Sequence, residues 1–208
     1  MVEAFLLYWA FFIPGISLPS GSATYIPFEA TKEISRVFFY DLPVIFLILY
    51  LLWRDSDGTL KNRFRINRYT FLWSLFNLSV IVASAVSIFL LSQFIAPAYR
   101  PPLIEAPHTT TAWLIMVIGS FATAYLEEFY FRLYLLYRFD SAGIRHLTAN
   151  LLSVFLFALC HSYEGPLGAL NAAVAGLSFT LFYRKTQSIH CPAWSHGLYN
   201  ILAFAVGF

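Results

Sequence analysis

The segment AYLEEFYFRLYLL, from Ala124 to Leu136, sets two adjacent glutamates and an arginine inside an otherwise apolar run. Only 12% of the 208 residues are charged, so three charges in so short a stretch are conspicuous. A charge at the centre of a hydrophobic segment costs at least ~2.5–3.5 kcal/mol on insertion scales. Glu127, Glu128 and Arg132 therefore need either partners or a chemical task.

The surroundings point to a bilayer. Hydrophobic residues make up 59% of the chain and the mean hydropathy is +0.67. A soluble domain has about 45–50% apolar and about 25% charged residues. Twenty-two Phe and thirteen Tyr suit lipid-facing surfaces and interfacial belts. Basic residues occur in short loops rather than along one face, which argues against nucleic acid as a partner. Two cysteines, Cys160 and Cys191, are too few for a disulfide framework. The N-terminal stretch ends in small residues but has only Glu3 before its apolar run, so it reads as a retained helix rather than a signal peptide.

A membrane-spanning helix needs ~20 mostly apolar residues. Seven stretches qualify or nearly qualify: roughly 2–19, 36–53, 70–96, 112–137, 148–162, 166–184 and 189–208. Pro19-Ser20-Gly21-Ser22, Asp57-Gly58, Pro101-Pro102 and Gly165-Pro166 supply turns between them. The expected fold is an all-α, polytopic transmembrane bundle of about seven spans, forming one domain over residues 1–208. Lys and Arg collect in loops 54–69, 138–147 and after residue 184, whereas the alternate loops are poor in them. By the positive-inside rule the N-terminus is cytoplasmic and the C-terminus lies outside.

Polar residues that do not belong in lipid recur on three of these spans. They are Glu127, Glu128 and Arg132, then His161 at the end of the fifth span, then His196 and Asn200 in the seventh. At ~1.5 Å per residue from the basic side, Glu127, His161, His196 and Asn200 lie roughly 16, 20, 12 and 18 Å deep. A shared depth suggests a shared site. Glu128 and Arg132, at i,i+4, can pair directly. Glu127 points about 100° away around the helix and is free to face a cavity, where a carboxylate can serve as a general base. Phe157 and His161, and His196 and Asn200, are also i,i+4 pairs.

These motifs, E-E-x-x-x-R (Glu127, Glu128, Arg132), F-x-x-x-H (Phe157, His161) and H-x-x-x-N (His196, Asn200), resemble those of the CPBP family of intramembrane proteases. That family, also called Abi, includes the type II CAAX prenyl endopeptidases and many bacterial relatives. The resemblance covers about residues 112–208, which would form the catalytic helix core; residues 1–100 match only in being helical and apolar. It implies hydrolysis of a peptide bond in a membrane-tethered protein or peptide, either a prenylated tail or a C-terminal sorting signal. Glu127 and His161 would activate water, while His196 and Asn200 would stabilise the oxyanion. Glu128, Arg132 and Phe157 would support them. A metal-dependent variant would instead hold zinc through Glu127, His161 and His196. By analogy with compact prokaryotic members, the setting would be a bacterial or archaeal cell membrane.

Blander readings remain open at this point. The charges could stabilise the interior of a transporter, an immunity protein or a scaffold protein, and a lone intramembrane histidine often makes only an interhelical hydrogen bond. Asp41 is expected to reach the interface near the outer end of the second span. Asn77, Asn150 and Asn171 read as interhelical donors, with Asn171 also a candidate for the cavity wall. Trp9, Trp53 and Trp113 read as interfacial anchors. A Cys160–His161 nucleophile pair is disfavoured, because neighbours on a helix point about 100° apart.

Overall fold

Long apolar periods with few breakers produce helices almost everywhere. The computed structural model describes residues 1–13, 25–55, 58–95 and 103–207. The expected end of the first span and the turns at 19–22 and 101–102 lie outside them, as does Asp57. Helix α1 covers Val2–Phe11. Helix α2 (Ala30–Arg36) runs through a π turn at Val37–Asp41 into α3 (Leu42–Asp55). A 3-10 turn at Thr59–Phe64 leads to α4 (Arg68–Ile95). Helix α5 (Thr110–Glu128) continues through a second π turn, Phe129–Tyr134, into α6 (Leu135–Ser141). Then come α7 (His146–Cys160), α8 (Gly165–Thr186) and α9 (His190–Val206). Strands β1 (Tyr25–Ile26) and β2 (Leu103–Ile104) form a short parallel pair.

The fold is an all-α polytopic bundle. Among the described residues, four helical runs are long and apolar enough to cross a membrane: Ala30–Asp55, Arg68–Ile95, Thr110–Ser141 and Ser162–Thr186. Helices α1 and α7 are shorter apolar segments. The outward side of the bundle is apolar, with Phe46, Trp53, Phe76, Leu91, Phe94 and Phe155 all exposed. Water would not tolerate that surface, but lipid does.

Local signals fix the ends. Thr109 caps α5 by accepting a hydrogen bond from the Ala112 amide at 3.1 Å. Gly165, at φ 85°, opens α8 in a backbone conformation that suits glycine, and Pro166 follows in its first turn.

Helix α1 is locked into an aromatic core. The Tyr8 hydroxyl donates to the Leu156 carbonyl at 2.8 Å, and the Tyr130 hydroxyl donates to the Ala4 carbonyl at 2.7 Å. One end of the bundle carries the basic connections. There Arg138 meets Asp55 at 2.6 Å, Arg184 meets Asp140 at 2.6 Å, and the Tyr134 hydroxyl donates to Glu3 at 2.7 Å. At the opposite end the Phe28 amide donates to Glu105 at 3.2 Å, and the Ile104 amide to the Gly207 carbonyl at 3.4 Å. Basic-rich and basic-poor connections thus fall on opposite ends, as the alternation in sequence requires.

Asp41 departs from expectation. It is fully buried instead of reaching an interface, and its Oδ2 accepts from Arg36 at 2.8 Å. The π turn rotates it inward against α5.

Candidate active site

Helix α5 packs against α9, and α7 packs against α8. These contacts bring the three sequence motifs to one interior region. Arg132 is fully buried. Its Nη1 donates to Glu128 Oε1 at 3.2 Å and its Nη2 to the Gly176 carbonyl at 3.0 Å. The guanidinium also lies 4.3 Å from the ring centre of Phe157 and 5.2 Å from that of Phe179. Such cation–π contacts gain strength when desolvated. Gly176 makes the approach possible, since a Cβ there would meet the Phe157 ring at 2.8 Å and Arg132 Nη2 at 3.2 Å.

Glu128 has a second partner that the i,i+4 spacing did not reveal. Its Oε1 lies 3.0 Å from His196 Nδ1. A carboxylate already paired to Arg132 accepts, so Nδ1 carries the proton and the ring is oriented. Phe179 stacks on the same imidazole at 4.7 Å. The other ring nitrogen, Nε2, points toward Glu127 and stands 3.8 Å from its Oε2. That separation is an ion-pair distance and too long for a hydrogen bond. Glu127 Oε2 is buried with no hydrogen-bond partner among the described residues, although the side chain as a whole is 15% exposed. A buried carboxylate oxygen with no donor is an acceptor in wait.

His161 ends α7. Its Nδ1 lies 2.8 Å from the Phe157 carbonyl, which can only accept. The proton therefore sits on Nδ1 and leaves the Nε2 lone pair free. The expected packing of Phe157 on this imidazole is present at 4.6 Å, and the same phenyl ring meets His196 edge-on at 6.0 Å. Asn200 follows His196 by one turn of α9, is half-buried, and makes no hydrogen bond among the described residues. Gly197 between them presses against the Phe121 ring.

Cys160 lies closer to His161 than the helical angle suggested, with Sγ 3.3 Å from Nδ1. The helix stops at Cys160, so the 100° rule lapses there. The thiol lies 3.0 Å from the Phe157 carbonyl, and Nδ1 is the nitrogen already committed to that same oxygen. The pair is therefore not arranged as nucleophile and base. Asn77 behaves as expected of an interhelical donor, giving a hydrogen bond to Ser195 at 2.7 Å while accepting from Ser178 at 2.6 Å. Asn150 is instead an acceptor, from Arg184 at 3.0 Å.

The geometry meets an independent finding. Residues 109–202 match a protein family described as type II CAAX prenyl endopeptidase Rce1-like. Over that region the chain is similar to this endopeptidase family. The Rce1-like region opens at the Thr109 cap and contains Glu127, Glu128, Arg132, Phe157, His161, His196 and Asn200; helices α1–α4 lie outside it. Comparison with curated proteins and with solved structures finds no match.

For the metal-dependent variant the donors would be Glu127, His161 and His196. Among the described residues no three His, Cys, Asp or Glu side chains are gathered closely enough to hold a metal ion. That donor set does not fit a metal as arranged.

Proposed function

We propose that the protein is a multi-pass membrane endopeptidase that cleaves a membrane-tethered polypeptide near its C-terminus, with a prenylated CAAX-type tail as the substrate class. The carrying observation is Glu127: a buried, unpartnered carboxylate oxygen 3.8 Å from an imidazole whose far side is fixed by Glu128 and Arg132. Glu127, with the His161 Nε2 lone pair, takes a proton from water as its oxygen attacks the scissile carbonyl. The resulting oxyanion accepts hydrogen bonds from Asn200 and, in its imidazolium form, from His196 Nε2. As the C–N bond breaks, Glu127 passes the proton to the leaving amine, giving a carboxylate and an amine. Metal-free chemistry is the reading we favour because Asn200 is a poor zinc ligand and suits an oxyanion donor better. The substrate class is supported by the family's description, and a cytoplasmic N-terminus is supported by Glu3 lying at the basic end. A prokaryotic cell membrane is the setting proposed.

The test is cleavage of prenylated CAAX peptides by purified protein in liposomes, read by mass spectrometry. Glu127→Ala and His161→Ala should lower turnover by at least ~100-fold, and His196→Ala or Asn200→Ala by about 100- to 1,000-fold. Equal turnover by wild type and Glu127→Ala would sink the reading. Loss on chelation with recovery on adding zinc would overturn the metal-free chemistry.

A further inference from the structure

A second group of intramembrane charges lies outside the Rce1-like region, on α2 and its π turn. Ionisable residues within a membrane-length apolar run are costly and by default functional. Arg36 donates to Asp41 at 2.8 Å, to Glu33 and to Thr123 of α5. Thr123 also donates to Asp41 Oδ2 at 3.4 Å. Asp41 is fully buried, and its Oδ1 has no hydrogen-bond partner among the described residues.

The face of α5 that receives this group is the one that carries Glu127. Gly119, Thr123 and Glu127 recur every four residues and form one stripe. Gly119 lies against the Glu33 side chain so closely that a Cβ would strike it. Thr123, one turn on, holds Arg36 and Asp41. Glu127 is the next step along that stripe, one further turn of the helix. Two unpartnered carboxylate oxygens, on Asp41 and Glu127, therefore belong to one continuous polar seam between α2 and α5.

We infer that Asp41, held by Arg36 and Thr123, is a positioning residue for Glu127, so that the N-terminal helices complete the hydrolytic site and do more than pack beside it. The inference rests on the peptidase reading. Asp41 does not touch the scissile bond. It fixes the rotation and depth of the α5 face from which Glu127 reaches the water.

The experiment compares Asp41→Asn, Arg36→Gln, Thr123→Val and Thr123→Ser with wild type, in liposomes, on a prenylated CAAX peptide. Rates are normalised to the folded fraction from size exclusion. Supporting residues behind catalytic groups typically cost 10- to 100-fold when removed. Asp41→Asn, Arg36→Gln and Thr123→Val should each lower kcat by about 10- to 100-fold with KM changed less than about 3-fold. Thr123→Ser, which keeps the hydroxyl, should restore most of kcat. A merely structural role would lower the folded fraction and leave kcat per folded molecule at the wild-type value. That result, in a preparation whose wild type cleaves, would overturn the inference and leave the peptidase reading intact. Absence of cleavage by wild type would remove both.

Discussion

Two π turns, Val37–Asp41 and Phe129–Tyr134, each carry a charged side chain into the bundle, and they do so differently. π turns are rare and recur at functional sites. In the second turn Arg132 is sealed: a carboxylate, a carbonyl and aromatic rings surround it, and both it and Glu128 have no exposed surface. In the first turn Asp41 is equally buried, but the arginine that neutralises it is 33% exposed at the rim. The sealed pair is a fixed foundation, and the rim pair can still respond to what enters beside it. A peptidase needs both, because one imidazole must stay oriented while another side of the site admits substrate and water.

The largest expected effect breaks the foundation. Arg132→Leu leaves Glu128 buried without its arginine counter-charge, held only through His196, and losing one partner of a buried pair costs about 3–5 kcal/mol. Denaturant unfolding in mixed micelles should show it, and turnover should vanish with the folded fraction. Arg36→Gln should cost less, about 1–3 kcal/mol for a hydrogen-bonded group left short of partners. If the two substitutions destabilise equally, the contrast between sealed and rim sites is wrong. Glu128→Gln should lower both stability and turnover per folded molecule, since Glu128 serves Arg132 and His196 together.

The helical runs and the Glu128–Arg132 pair were legible because both depend on local spacing. An i,i+4 pair needs nothing but its own helix. The hydrogen bond from His196 to Glu128 was not legible, since 68 residues separate the partners and only the α5–α9 packing joins them. Arg36 and Asp41 are hidden for another reason. They lie five residues apart, which on an α-helix leaves them about 140° from alignment at 3.6 residues per turn. The π turn closes that gap, and no feature of VFFYD announces it. A π turn changes which residues face one another, so a reading at α-helical period sends Asp41 to the wrong environment. The orientation of His161 was hidden for a related reason, because it depends on where α7 stops.

A gentler comparison uses two glycines. Gly176→Ala would drive a methyl group into Phe157 and Arg132, within the sealed site. Overpacking of this kind costs about 1–3 kcal/mol, and kcat should fall as the rings that support both histidines shift. Gly119→Ala would meet the flexible end of Glu33 at the rim. That side chain can swing aside, so the loss of unfolding free energy should be smaller than for Gly176→Ala. Turnover, measured on the same preparations, should nevertheless fall if the seam between α2 and α5 sets the position of Glu127.

The smallest expected effect on turnover tests how α4, from outside the Rce1-like region, is tied to the helices inside it. Asn77 is fully buried on α4, donates to Ser195 on α9 and accepts from Ser178 on α8. Ser195 directly precedes His196, so this amide braces the helix that presents the imidazole. Interhelical hydrogen bonds within membranes average about 0.6 kcal/mol and reach about 1.7. Asn77→Ala should therefore lower the unfolding free energy by roughly 0.6–1.7 kcal/mol. The two serines already bond to backbone or can do so: Ser195 Oγ donates to the Cys191 carbonyl at 3.1 Å or the Pro192 carbonyl at 2.9 Å. With α9 still held by Glu128 at His196, turnover should change less than about 3-fold, well short of the loss typical of supporting residues. A larger loss of kcat at that modest cost in stability would show that α4 also positions the site, and would extend to it the role argued for α2.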